Sequence, residues 1–328
     1  MNFNGKRVLV TGAGGFIGSH LAEQLIEQGA KVRTLVHYNA LGSWGWLDSS
    51  SYKAQMEVIA GDISDRDSVR HAVSEVDIVF HLAALIAIPY SYQAPYSYIR
   101  TNVEGTTNVL QAVRECGVER MVHTSTSEVY GSAVYVPINE KHPLQGQSPY
   151  SASKIGADKM TEAFYSSFDV PVVTVRPFNT FGPRQSARAV IPTIITQCLA
   201  GEAVIRLGSL HPTRDLNYVG NTVDGFMRAA LAPNVCGKVI NVGSGREISI
   251  GDLAALIANL VGVNVKIEQE DQRVRPSKSE VTRLLADNQL AQELLHWEPG
   301  VTLEEGLQLT IEWVKANRQW YRPGVYAV

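Results

Sequence analysis

The first half of the chain alternates short, nearly unbroken apolar runs with longer segments whose apolar residues recur every three or four positions. Arg7-Val8-Leu9-Val10 reads as a buried strand, and from Gly18 to Gln28 the residues Leu21, Ala22, Leu25 and Ile26 mark one helical face. The same reading predicts strands over Lys31–Val36, Met56–Ala60, Asp77–Leu82, Arg120–Thr124 and Val172–Arg176. It predicts helices over Ser68–Val73, Tyr98–Cys116 and Ser151–Phe168. Strands apolar on both faces, each followed by a helix, form a parallel sheet covered on both sides. Right-handed crossovers make it doubly wound, a Rossmann-type α/β fold. After Arg176 the pattern becomes shorter and is broken by Pro177, Gly182, Pro183, Pro192 and Gly201. This predicts a dinucleotide-binding domain over residues 1–176, with a return to the sheet near 210–243 through Val239–Val242. Residues 177–328 are expected to form mainly a smaller α/β substrate-binding domain.

Composition narrows the class. The 328 residues are 45% hydrophobic and 19% charged, enough for a large core and incompatible with disorder. The net charge of −3 offers no general attraction for nucleic acid or anionic membranes. No stretch approaches ~18 uninterrupted apolar residues, and the N-terminus has no signal-peptide pattern. Cys116, Cys198 and Cys236 are far apart, so neither a metal site nor a disulfide framework is expected. A cytoplasmic protein with reduced thiols is the expectation.

Thr11-Gly12-Ala13-Gly14-Gly15-Phe16-Ile17-Gly18 carries the first chemistry. It joins the first strand to the first helix. Gly12 permits a sharp turn, Gly15 lets backbone approach a pyrophosphate, and Gly18 lets helix and strand pack closely. The free N–H groups of the helix start then hold phosphate. No Asp or Glu lies between Gly29 and Leu47 to bond the adenosine ribose. The position after the second strand carries His37 and Tyr38, so the reading is NAD or NADP with a lean to NADP. His37 or Arg33 would meet the 2′-phosphate. Asp62 and Ile63, after the third strand, are placed at the adenine.

Tyr150 and Lys154 share one helical face at i and i+4. A nearby ammonium lowers a phenol's pKa, so Tyr150 could take a proton from a substrate hydroxyl. Thr126, beyond the intervening strand, would complete a Ser/Thr–Tyr–Lys triad. Glu128 lies on the same side as Thr126 if the segment stays extended.

These motifs, with His81-Leu82-Ala83-Ala84, Thr101-Asn102-Val103-Glu104-Gly105-Thr106, Arg176-Pro177-Phe178-Asn179, Gly182-Pro183-Arg184 and Arg214-Asp215, resemble the extended short-chain dehydrogenase/reductases that act on nucleotide sugars. The resemblance runs over nearly the whole chain. Ser125-Thr126-Ser127-Glu128-Val129-Tyr130-Gly131 resembles the 4,6-dehydratase branch. Ser43-Trp44-Gly45-Trp46-Leu47 and the segment Arg273 to Val281 are similar to dehydratases of legionaminic- and pseudaminic-type pathways, which act on UDP- or GDP-N-acetylglucosamine. The resemblance implies that Glu128 takes the C5 proton while the C6 hydroxyl leaves. Ser127 stands where the glucose-type branch has an aspartic acid. It implies cofactor contacts from Leu82, Ala83 and Ala84, substrate contacts from Asn179, Arg188, Arg214 and Arg275, with Arg273 a further phosphate candidate, and a homodimer through a four-helix bundle. A 4-epimerase or a UDP-glucuronate decarboxylase shares most of this pattern. A non-catalytic dinucleotide sensor would have no use for Tyr150, Lys154, Thr126 and Glu128 together.

Overall fold

The computed structural model describes residues 1–321. The first strands and helices follow the apolar pattern closely: β1 (Arg7–Thr11), α1 (Phe16–Glu27), β2 (Lys31–His37), β3 (Glu57–Gly61), α2 (Arg66–Val73) and β4 (Ile78–His81). Two short helices come next, α3 (Ile88–Gln93) and α4 (Pro95–Tyr98), and then α5 (Gly105–Cys116), β5 (Arg120–Thr124), α6 (Pro149–Phe168) and β6 (Val172–Pro177). The helix expected from Tyr98 begins earlier, at Pro95, and runs through a π-helical stretch, Ile99–Glu104, before α5. That local widening turns the buried Asn102 toward the loop after β4. Asn102 exchanges two hydrogen bonds with the Leu85 backbone and donates to Ser153 Oγ of α6 at 2.9 Å.

Beyond β6 the chain forms β7 (Asn179–Phe181), α7 (Val190–Leu199), β8 (Val204–Leu207), β9 (Thr213–Tyr218), α8 (Val219–Leu231) and β10 (Val239–Val242). The described part ends with β11 (Glu247–Ser249), α9 (Ile250–Val261), β12 (Lys266–Gln269), α10 (Gln289–Leu295) and α11 (Leu303–Ala316). Seven strands make one parallel sheet in the order β3-β2-β1-β4-β5-β6-β10. The predicted return is therefore β10, which pairs with β6.

Alternation along each strand sorts the core into two layers. Val8, Val10, Val32 and Phe80 pack with Leu21 and Leu25 of α1 and Val223 and Phe226 of α8. Leu9, Leu35, Val79 and Met121 face the other way, onto Val69 of α2, Leu110 of α5 and Phe164 of α6. Each such side chain contributes about 1.5–3 kcal/mol by leaving water. The two small sheets, β11-β9-β7 and β12-β8, surround a separate core from α7, α9 and α11.

β1 is paired on its two sides with β2 and β4, so the chain order reverses there. The carboxyl ends of β1 and β4 flank the crevice in which doubly wound sheets bind ligands.

Candidate active site

The glycine turn sits in that crevice. Gly12 has φ +71°, and a Cβ there would lie 2.8 Å from the Ala83 nitrogen. A side chain at Gly18 would run into the Gly12 carbonyl. Gly15 caps α1 with no side-chain hydrogen bond, and the first turn holds no acid. Uncapped amides with no competing carboxylate fit a pyrophosphate, so these residues suit a dinucleotide. Leu82 and Ala83 donate their amides to Thr11 Oγ1, each at 3.1 Å. With both lone pairs so engaged, the Thr11 hydroxyl must donate to His81 Nδ1 at 2.9 Å, which leaves His81 Nε2–H to donate to Thr106. Burial holds the His81 imidazole well below its usual pKa, consistent with this neutral tautomer. The Leu82–Ala84 strand end is thus fixed against the phosphate turn.

The adenosine end departs from expectation. Arg33 lies toward the start of β2 and is committed to Glu57 at 2.8 Å, the Ala72 carbonyl at 3.1 Å and the Ser74 carbonyl at 2.6 Å. It is not a 2′-phosphate ligand. His37 ends β2 in the open, near enough to Asp62 to stabilise its charge. Asp62 Oδ1 accepts from the amide and hydroxyl of Ser64, both at 2.8 Å. Burial raises this carboxyl, but those bonds and the nearby His37 and Arg100 hold it below its ordinary value. Ile63 is buried against Gly105, with its carbonyl accepting from Asn108.

The triad is assembled by β5 and α6. Ser148 and Ser151 form a reciprocal cap that starts α6, placing Tyr150 on its first turn. Tyr150 and Lys154 are both buried. Lys154 Nζ donates to the Thr124 carbonyl at 2.7 Å. Burial lowers the Lys154 pKa to about 8, opposed by the carboxylate of Asp158 one turn on. The net shift of the Tyr150 phenol is upward. Burial pushes the phenol up, a hydrogen bond with Thr126 opposes the rise, and the Glu128 charge adds to it.

The premise of an extended segment after Thr126 is also corrected. Ser127–Tyr130 is a 3₁₀ turn, started by the Glu128 amide donating to Thr126 Oγ1 at 3.2 Å. The turn buries Ser127 almost completely, yet still brings Glu128 within electrostatic reach of Tyr150 and Arg214.

Arg214, on β9, is buried and pairs with Glu280 at 3.1 Å; Arg275 approaches the same carboxylate at 3.9 Å. Glu280 was not anticipated. Its signal in the sequence was an acid among three arginines. Arg273 pairs with Glu270 at 2.5 Å. Asn179 opens β7 with its Oδ1 buried and unpartnered, a free acceptor beside the site. Arg188 is exposed on the loop before α7, with Nε donating to Ser186 Oγ at 3.2 Å, yet near enough to influence Tyr98. Tyr98 meets Tyr150 edge-on, with ring centroids 6.3 Å apart. Asn221 accepts from the Gly300 and Val301 amides and donates to the Val301 carbonyl, a pattern a carboxylate could not complete.

A second unanticipated feature lies one turn beyond Lys154. Asp158 accepts from His123 at 3.2 Å, from Ser125 at 2.8 Å and from Arg176 at 2.8 and 3.1 Å. Arg176 continues to Tyr130, and Tyr130 to Asn241. Burial raises the Asp158 carboxyl, but its partners outweigh that and hold it at about 2. Its stabilisation is complete above the unfolded carboxyl pKa of ~3.9 and is lost as pH falls toward about 2. Asp158→Ala should therefore cost about 3–5 kcal/mol in denaturant unfolding, because Arg176 is left buried and unpaired. Asp158→Asn should flatten the acid limb of stability between those two pH values.

The fold, the phosphate turn and the Thr–Tyr–Lys cluster together define the extended short-chain dehydrogenase/reductase class. Residues 9–310 match the family model described as GDP-mannose 4,6 dehydratase, and the chain belongs to that family. It is 34% identical over 318 residues to a UDP-glucose 4-epimerase of Mycolicibacterium smegmatis, covering 95% of this chain and 100% of that one. Among solved structures it is similar to DesIV, a dTDP-glucose 4,6-dehydratase from Streptomyces venezuelae with NAD and TYD bound (TM-score 0.87, 28% identity, 96% and 99% of the two chains). It is also similar to the UDP-N-acetylglucosamine 4-epimerase of Methanobrevibacter ruminantium in complex with UDP-N-acetylmuramic acid (TM-score 0.86, 30% identity, 96% and 99% covered). No helix among the described residues is long and apolar enough to cross a membrane.

Proposed function

We propose that the protein is a nucleotide-sugar 4,6-dehydratase acting on UDP- or GDP-N-acetylglucosamine. The observation that carries this reading is the position of Glu128, a carboxylate buried in the turn that Thr126 caps and within electrostatic reach of both Tyr150 and Arg214. A bound nicotinamide supplies the hydride acceptor for C4, and its positive ring favours the phenolate. Thr126 and Tyr150 hold the C4 hydroxyl, and Tyr150 takes its proton. Lys154 keeps a positive charge behind them. The resulting ketone acidifies C5, and Glu128 takes that proton as the C6 hydroxyl departs. Ser127, buried and without an acidic proton, cannot protonate the leaving group, so Glu128 delivers the proton it removed and water departs. The hydride taken from C4 is then returned to C6 while C5 gains a proton, and the proton that Tyr150 took passes to solvent. Arg214 and Arg275 hold the diphosphate, exchanging Glu280 for phosphate oxygens, and Asn179 adds a polar contact. Arg188 frames the nucleobase.

NAD is favoured over NADP by the engagement of Arg33 and by the NAD in the S. venezuelae relative. A homodimer through α5 and α6 belongs to the same reading, supported by Ile99 and Phe168, exposed at the start and end of that helical layer. Light scattering should give twice the chain mass.

A 4-epimerase is the second reading, favoured by the 34% identity to the M. smegmatis epimerase. Incubation with UDP-N-acetylglucosamine and mass spectrometry separates the two. Loss of one water is the expected result, and a product of unchanged mass supports the epimerase.

A further inference from the structure

The loop after β2 lies directly on the phosphate turn. The Trp46 amide donates to the Gly14 carbonyl at 3.0 Å. A Cβ on Gly14 would lie 2.6 Å from the Trp44 carbonyl, so only glycine allows the two backbones this close. Within the loop, Asp48 accepts from the Trp44 amide at 3.0 Å and Ser43 Oγ at 2.7 Å, and Lys53 sits 4.5 Å over the Trp44 ring.

What holds this loop down comes from the other end of the chain. Trp46 meets Trp313 of α11 edge-on at 5.3 Å and Trp320 at 5.5 Å. Tyr321 packs on Trp313 at 6.0 Å and donates to the Gln185 carbonyl at 2.8 Å. The aromatic run at Gln319–Tyr321 is thus docked on the body; Arg322 and Pro323 lie outside the described residues. Trp320 stays 61% exposed and Trp46 is half-buried, so neither ring is needed to fill a core. Their contact joins the cover of the phosphate turn to the C-terminal helix.

We propose that Trp46, Trp313 and Trp320 form a clasp that keeps loop 43–48 closed over the bound dinucleotide and slows its release. This rests on the dinucleotide reading of the glycine turn. It suits a reaction in which hydride is borrowed and returned, since the cofactor has no reason to leave.

The test is the dissociation rate of NAD from the full-length protein. It is measured by chasing bound NAD with excess NADH and following energy transfer from tryptophan. Dinucleotide content after gel filtration is read separately by chromatography of the denatured protein. Edge-on aromatic pairs are worth enough for Trp46→Ala to release NAD about tenfold faster, and Trp320→Ala about threefold faster. Trp320→Phe, which keeps an edge-on ring, should restore the original rate. Circular dichroism and the unfolding midpoint with saturating NAD establish that each variant is folded; Trp320→Ala, at an exposed position, should be indistinguishable there. Folded alanine variants that release NAD at the parent rate would overturn the clasp while leaving the dinucleotide site standing. A parent protein that neither carries nor binds NAD would overturn both.

Discussion

Tyr150→Phe should bind the nucleotide sugar and the cofactor but oxidise C4 about 10³–10⁴ times more slowly, near the upper range for a lost acid–base group. The loss should fall on the chemical step, because only the hydroxyl is removed. The ring still fills its place among Ile88, Leu85 and Tyr98, and α6 still starts at its Ser148–Ser151 cap. Stopped-flow absorbance of the reduced nicotinamide reads this step directly. Phenylalanine carries no titratable group, so the residual rate should not be rescued by raising pH within the range the fold tolerates. A variant with normal turnover would remove Tyr150 from the reaction.

Glu128→Gln should separate the two halves of the reaction. Oxidation at C4 uses Tyr150, Lys154 and Thr126, all left in place, so reduced nicotinamide should still form. Water loss should slow by about 10²–10⁴ because glutamine cannot take the C5 proton. The change conserves volume in the 3₁₀ turn and spares the amide bond to Thr126 Oγ1. Glu280 holds Arg214 at 3.1 Å until the diphosphate takes its place, and neither contact uses the Glu128 carboxylate, so substrate affinity should be largely preserved. In deuterated water the sugar should acquire no deuterium at C5. Exchange at C5 at the parent rate would place the base elsewhere.

Much of this was legible in the sequence because it is local. The glycine turn lies within eight consecutive residues, Thr11 to Gly18, and Tyr150 and Lys154 within one helical turn. The strands were legible because buried parallel strands are apolar on both faces, as in Val8-Leu9-Val10. Less legible was what depends on contacts distant in sequence. Arg33 looked available for phosphate until Glu57 and two carbonyls claimed it across the sheet. The 3₁₀ turn at Ser127 depends on a local hydroxyl–amide bond that competes with extended backbone, and Ser and Thr carry that option without announcing it. The Asp158–Arg176 pair joins α6 to β6 across 18 residues of chain, a contact that helical spacing does not show. The edge-on contact of Trp46 with Trp313 and Trp320 joins the first quarter of the chain to α11 and the residues after it, beyond any periodicity.

The most direct measurement follows a label rather than a rate. UDP-N-acetylglucosamine carrying deuterium at C4 is incubated with the protein in ordinary water, and the product is examined by mass spectrometry and NMR. If hydride is lent from C4 and returned to C6, the product is lighter by one water and carries the deuterium in its C6 methyl group, with a solvent proton at C5. Deuterium found again at C4, in a sugar that has lost no water, would contradict the dehydratase and leave an epimerase in its place.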